Sequence, residues 1–368
     1  MTTTTAASMR EPRILGLFDH HGIVDRAARE AGRPHVPGPY RVDLLDELGF
    51  ELKTLTPARG RLHRKVRDVV EHRSGVDVDM PLRAVTEAWR ADAVFAMFER
   101  RAQFVSRLRR RGLRPYADRP FWAVTCWWAE ELLHASERTR ESIRRDIEGI
   151  DGLIVFSENQ RSVFASIGVP ESKVFPVDFG VDPDFYYPVP ETKRRFQVFS
   201  AGVDRGRDFE SLVAAARLVP EARFDIFTQP GRIAEPLPGN VTLHAPVDIM
   251  AHRENLRSAD LVVVPTHDLA YPTGQSVLLE ASACGACVAV TSTEAMDQYI
   301  DDGVTALAMP LHDPSGMAEV IRQAHHDPGL RARIGAAARQ TVVDRYSFRR
   351  MWAEIGALIT GSGASRDS

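Results

Sequence analysis

The sequence predicts an α/β protein of two facing, doubly wound parallel-sheet domains, and three observations lead there. Short apolar or β-branched runs alternate with helical segments along nearly the whole chain, as in a sheet covered by helices on both faces. A chain of 368 residues exceeds one average domain and suits two. Midway, Tyr186 to Arg194 (YYPVPETKR) is a polar, proline-bearing linker at which the alternation stops and begins again. Residues 10–188 and 189–344 are therefore expected to form the two domains.

In the first half, Arg13 to Phe18 (RILGLF) reads as a buried strand with the loop Asp19-His-His-Gly22 at its carboxyl end, where open α/β sheets bind ligands. Further strands are expected at Glu51–Leu55, Ala93–Met97, Phe121–Thr125 and Ile150–Phe156, the last followed by a serine-capped helix at Ser157. In the second half, a strand at Phe196–Ser200 precedes a helix over Phe209–Leu218. Strands at Arg223–Phe227 and Val241–His244 follow, then a helix over Ile249–Arg257.

The densest signal is Ala259 to Ser292, which reads as strand, turn, helix and strand in succession. Leu261 to Val264 is a continuous apolar run, as a parallel strand buried on both faces requires, and Pro265 ends it. The turn Tyr271-Pro-Thr-Gly-Gln-Ser276 delivers backbone N–H groups to a helix start, whose partial positive charge suits a phosphate. Glu280 lies one turn inside, well placed for a sugar hydroxyl, and Gly285 closes the helix before a strand at Val288–Val290. No repeat of 20 to 50 residues is present, which excludes solenoids.

Composition narrows the classes. Apolar content of 44% with 26% charged residues is that of a globular protein, and no apolar run approaches the ~20 residues of a membrane span. The N-terminal MTTTTAASMREPR lacks the pattern of a secretory signal and reads, like Gly361–Ser368, as disordered. Three cysteines point to a reducing compartment, so a cytoplasmic chain is expected. A net charge of −3 gives no electrostatic case for nucleic acid. Arg59–Arg73 and Arg100–Arg114 are nevertheless basic stretches at helical spacing. Each is either a solvated face or a patch for anionic lipid or a phosphorylated acceptor, which would place the protein at the inner face of a membrane.

Leu278-Leu-Glu-Ala-Ser-Ala-Cys-Gly285 resembles the signature of family-4 glycosyltransferases, retaining enzymes of the two-domain GT-B fold. Ser157-Glu158, Ile167-Gly-Val-Pro170 and Gly180-Val-Asp182 with Phe185 follow the same family's order before the linker. The resemblance implies that the last helix, around residues 345–360, crosses back onto the first domain. It implies a nucleotide-diphosphate sugar as co-substrate, with no separate cofactor, held by Gly202, Gly274, Gln275, Ser276 and the ribose ligand Glu280. The family's first signature glutamate, which helps hold the donor sugar, falls on Pro272 and is absent.

The loop Ala201-Gly-Val-Asp-Arg-Gly-Arg207 matches the family segment whose cations neutralise the leaving diphosphate. Val203 replaces the usual arginine, Arg207 takes the lysine position, and Arg205 is the candidate substitute for the missing charge. After the strand ending at Thr125, where the family commonly has His or Asp, the chain reads Cys126-Trp-Trp-Ala-Glu-Glu131. Trp127 and Trp128 are candidates for stacking on an acceptor, against a reading as core tryptophans. Glu130, His20 and His21 are alternative proton acceptors. Cys284-Gly-Ala-Cys287 lacks a second pair and is set aside as a metal or redox motif. Asp77-Val-Asp79 and Asp182-Pro-Asp184 are read as surface or turn acids, and no metal is expected.

The expected function is a retaining transfer of a sugar to an unidentified acceptor: a small metabolite, a lipid-linked sugar or a glycan. The alternatives are a sugar-nucleotide 2-epimerase, a phosphorylase, or a non-catalytic nucleotide-sugar-binding partner of a larger complex.

Overall fold

The computed structural model describes residues 10–18, 39–55, 60–189, 196–234 and 236–361. His20 and His21, the N-terminal lead-in and the tail beyond Gly361 lie outside them.

Two six-stranded, fully parallel sheets carry the molecule. The first contains β1 (Arg13–Leu17), β2 (Glu51–Lys53), β3 (Ala93–Met97), β4 (Phe121–Val124), β5 (Gly152–Val155) and β6 (Val174–Pro176), in the order β2-β1-β3-β4-β5-β6. The second contains β7 (Gln197–Ala201), β8 (Arg223–Phe227), β9 (Val241–His244), β10 (Leu261–Val264), β11 (Val288–Thr291) and β12 (Leu307–Met309), in the order β12-β11-β10-β7-β8-β9. The continuous apolar run of β10 is buried along its length because β7 and β11 flank it, with Val262 in register with both Phe199 and Val288.

The helices of the first half are α1 (Leu44–Glu47), α2 (Arg61–Ser74), α3 (Asp79–Arg83), α4 (Val85–Arg90), α5 (Glu99–Arg110), α6 (Trp128–His134), α7 (Glu137–Glu148) and α8 (Gln160–Ala165). Those of the second are α9 (Phe209–Leu218), α10 (Ile249–Ser258), α11 (Gln275–Ala283), α12 (Pro314–His326), α13 (Pro328–Asp344) and α14 (Phe348–Thr360). Their starts follow from side-chain caps: Asp208, Asp248, Asp313, Asp327 and Ser347 each accept the first free backbone N–H groups of the helix they precede. Pro314 and Pro328 occupy first-turn positions that need no N–H.

The chain crosses between the halves twice. After α13 it returns along residues 178–182: Val181 N–H donates to Tyr346 O and Phe348 N–H to Val181 O, both at 2.9 Å. A Cβ on Gly180 would lie 2.5 Å from the Ser347 carbonyl carbon, so this approach requires glycine there. Asp182 completes the joint by accepting from Arg41 at 2.5 Å in a buried ion pair. Helix α14 then packs on α1 and β3 of the first sheet. Trp352 is fully buried, 5.8 Å from the Phe95 ring and 6.0 Å from Phe18, with its indole N–H donated to Tyr40 O.

Candidate functional site

In open parallel sheets, loops leaving the carboxyl ends of two neighbouring strands in opposite directions enclose a crevice. In the second sheet that place lies between β7 and β10. The loops that leave them are Gly202–Asp208 and Pro265–Gly274, the two singled out in the sequence.

Arg207 lies at their junction. Its backbone bridges Thr266, and its side chain is only 4% exposed. The guanidinium threads between two glycines: a Cβ on Gly202 would lie 2.2 Å from Nε, and one on Gly274 2.0 Å from Nη1. Both nitrogens are buried with no hydrogen-bond partner. Burial lowers the Arg207 pKa to about 10, against the opposing pull of the Asp204 and Glu280 carboxylates. A buried guanidinium with two unanswered donors is what a phosphate oxygen would satisfy.

Gly274 adopts φ +89°, a left-handed conformation that begins α11 without a side-chain cap. Gln275 N–H returns to Pro272 O at 3.2 Å, and Leu278 N–H to Gly274 O at 3.0 Å. The N–H groups of Ser276 and Val277 between them have no partner among the described residues. Gln275 Oε1 is also buried and unpartnered. The helix start therefore places further unpartnered donors beside Arg207, which an anion could satisfy.

Glu280 sits one turn into α11, half-buried, with Oε2 3.0 Å from His252 Nε2 of α10. Burial and the Glu280 carboxylate both push the neighbouring Tyr186 hydroxyl upward. Glu280 is thus flanked by an imidazole and a phenol and remains partly exposed.

Asp204, which no motif in the sequence marks, ties the two loops together. It accepts from Thr273 Oγ1 at 2.9 Å, Tyr271 OH at 3.1 Å and Gly206 N–H at 2.6 Å. An acidic residue between two loop glycines looks like a solvated turn until the second loop is placed against it. Arg205 is exposed, and its charge opposes the upward shift that partial desolvation imposes on the Glu131 carboxyl of α6.

The facing surface of the first sheet departs from expectation at two residues. Trp128 is 2% exposed and lies in the core, so it offers no stacking face; α6 begins at this residue and turns it inward. Glu130 is buried, and both oxygens are engaged: Oε2 accepts Ala270 N–H at 2.8 Å across the crevice, and Oε1 is 3.1 Å from His134 Nε2. It acts as a clamp between the halves rather than as a free base. Trp127 remains exposed, with its ring 5.3 Å from Phe98. Phe98 has φ +71° and ψ 160°, a region costly for any side chain but glycine, and its ring also meets Tyr40 at 5.9 Å.

Beneath them, Glu99 Oε1 accepts the N–H groups of Cys126, Trp127 and Trp128 at 2.6, 2.6 and 3.2 Å, while Oε2 is buried and unpartnered. Burial raises its pKa despite these bonds. Burial likewise pushes the Cys126 thiol well up, and pushes those of Cys284 and Cys287 up to about 12, the state of unreactive core thiols. Asp77 and Asp79 are taken up by ion pairs with Arg100, Arg101, Arg83 and His63, and Asp182, a turn acid, is buried against Arg41.

Residues 205–357 match a family model described as glycosyl transferase-like. The chain is 27% identical over 236 residues to a D-inositol 3-phosphate glycosyltransferase of Saccharomonospora viridis, covering 60% of this chain and 51% of that protein. It is 25% identical over 269 residues to a GDP-mannose-dependent alpha-(1-6)-phosphatidylinositol monomannoside mannosyltransferase of Mycolicibacterium smegmatis, covering 62% and 67%. The chain thus spans about half the length of the first of these relatives. Among solved structures, sucrose-phosphate synthase from Thermosynechococcus elongatus superposes with TM-score 0.71 at 16% identity, covering 97% of this chain and all of that one. Anabaena Alr3699/HepE in complex with UDP and glucose superposes with TM-score 0.64 at 15% identity, covering 95% and 100%. These likenesses give the two-sheet architecture its name, the GT-B fold.

Proposed function

We propose that this chain, which belongs to the family-4 glycosyltransferases, transfers a sugar with retention from a nucleotide-diphosphate sugar to an acceptor hydroxyl or other nucleophile. The observation that carries the reading is the buried, unanswered guanidinium of Arg207 threaded between Gly202 and Gly274 beside an uncapped helix start. As the donor's glycosidic bond breaks, negative charge grows on the departing diphosphate. Donors already fixed at that position lower the barrier without reorganising. The second sheet is assigned the donor, with Glu280 on the ribose, and the first sheet the acceptor, with Trp127 as its stacking face. Arg205 supplies supporting charge at the crevice rim.

The acceptor attacks from the side the diphosphate leaves, and the leaving oxygen takes its proton. This role needs no protein nucleophile and agrees with Glu130 being engaged elsewhere. The relatives' printed names include UDP, GDP-mannose and inositol phosphate, so uridine and guanosine diphosphate sugars are the first donors to try.

No helix among the described residues is long and apolar enough to cross a membrane. Helix α2 nevertheless exposes Val66, Val69 and Val70 together with Arg64 and Lys65, which favours attachment to an anionic membrane surface from the cytoplasmic side.

The deciding experiment incubates the protein with a panel of nucleotide sugars and measures nucleoside diphosphate release with and without candidate acceptors. Acceptor-dependent release supports transfer. Epimerised sugar without release, or phosphate-dependent release alone, would assign an epimerase or a phosphorylase. Binding without turnover, unchanged in Glu280→Ala, would assign a non-catalytic partner.

A further inference from the structure

Three loops of the second sheet, two of them those that enclose the crevice, bring metal-ligating atoms together. Asp208, the cap of α9, is 3% exposed, and its Oδ2 lies 3.0 Å from Nδ1 of His312 and 4.0 Å from Nδ1 of His267. The three ligand atoms all fall within 4.8 Å of one another, and the two imidazole rings are 5.3 Å apart. We infer that Asp208, His267 and His312 form a binding site for a divalent transition ion of the zinc class.

The distances suit that ion. Ligand atoms around a tetrahedral centre with bonds of ~2.0–2.1 Å are separated by about 3.4 Å, and the two Asp–His distances bracket this value. Imidazole with carboxylate is a donor set for zinc, nickel or copper, whereas magnesium and calcium prefer oxygen alone. The carboxylate is oriented by its own partners: Ser211 Oγ donates to Oδ2 at 2.7 Å and Ser211 N–H to Oδ1 at 3.1 Å. Such outer partners fix a ligand before the ion arrives. The histidine side chains are 42% and 56% exposed, leaving the remaining coordination positions to water.

The site shares its loops with the crevice. Asp208 follows Arg207 directly, and His267 N–H donates to Gly206 O at 2.8 Å. An ion there would pin the loop carrying Arg207 to the loops after β10 and β12. The site does not depend on the transfer reaction, so its failure would leave the glycosyltransferase reading untouched.

The full chain, stripped with a chelator, is titrated with Co²⁺ while visible absorption is followed, and with Zn²⁺ while the thermal midpoint is followed. One saturable equivalent is expected, with a raised midpoint. His267→Ala and His312→Ala should each weaken binding at least about tenfold, and the double variant should abolish it. Because Asp208 also caps α9, the exposed histidines carry the test. His325→Ala/His326→Ala, a pair beside Glu221 at the far end of α12, should bind as the parent does. Absence of saturable binding, or undiminished binding in the His267/His312 double variant, would overturn the inference.

Discussion

Nη1 of Arg207 occupies the space that a methyl group on Gly274 would need, 2.0 Å from the position of that Cβ. The glycine's conformation and the arginine's path are therefore one requirement. Gly274→Ala should lose ~1–2 kcal/mol to the left-handed backbone and also displace the guanidinium. Gly303, at φ +72° with nothing within 4 Å of where a Cβ would stand, bears the first penalty alone. Both alanine variants should melt earlier than the parent in a thermal scan, but only Gly274→Ala should lose the midpoint increase given by a nucleoside diphosphate.

Arg207 gives a pH prediction. Its pKa in the folded chain, about 10, lies below the ordinary 12.5. The folded state thus holds the proton less tightly than the unfolded state. Burying the charge costs stability at every pH below about 10, a cost relieved as pH rises from 10 towards 12.5. Arg207→Met should unfold no earlier than the parent at pH 8 without ligand, while losing stabilisation by nucleoside diphosphate. In the parent, diphosphate affinity measured by calorimetry should be level from pH 7 to 9 and fall as pH passes about 10.

Glu99 carries the opposite kind of group. Its folded pKa is raised by burial above 4.5, so the protonated form is the better tolerated. Stability from this residue is fully present below pH 4.5 and is lost as pH rises through the folded value. Glu99→Gln keeps an oxygen for the N–H groups of Cys126, Trp127 and Trp128, so its unfolding free energy should rise relative to the parent as pH increases above 4.5. Glu99→Ala leaves those donors unanswered and should cost about 2–4 kcal/mol, read from urea unfolding at pH 7.

Glu280→Gln should lower kcat/KM for the donor sugar by roughly 10–100-fold through loss of charged hydrogen bonds. His252→Ala, which removes only the imidazole against Oε2, should have the smaller effect. Equal effects would mean that the carboxylate serves the α10–α11 contact rather than a ligand.

Five of the six strands of the second sheet were legible in the sequence, whereas the edge strand β12 and the helices α12 and α13 were not. The expected bounds of β8, β9, β10 and α9 agree with the structure residue for residue, because each run is closed by Asp, Asn, Pro or a polar turn. Gly202, Arg207 and Gly274 converge in space because the loops that carry them leave the carboxyl ends of the neighbouring strands β7 and β10. Asp204 and Glu99 were hidden for a common reason. Each carboxylate does its work through backbone N–H groups or hydroxyls of another loop, and sequence spacing carries no trace of that pairing. The two tryptophans at the start of α6 show a third limit: strand alternation ends there before helical periodicity is established, so neither pattern says which ring faces inward.

The return of α14 onto the first sheet bears on how the protein is made. Residues 348–360 leave the ribosome after the whole second sheet, yet Trp352, Ile355 and Ile359 fill the core beside Phe18, Phe95 and Leu45. The half synthesised first must therefore wait, with part of its interior open, until the second half and α14 have followed it. The second half meanwhile has its own complete sheet and a separate core around Phe224 and Ile321. Order of synthesis and order of completion run in opposite directions along this chain.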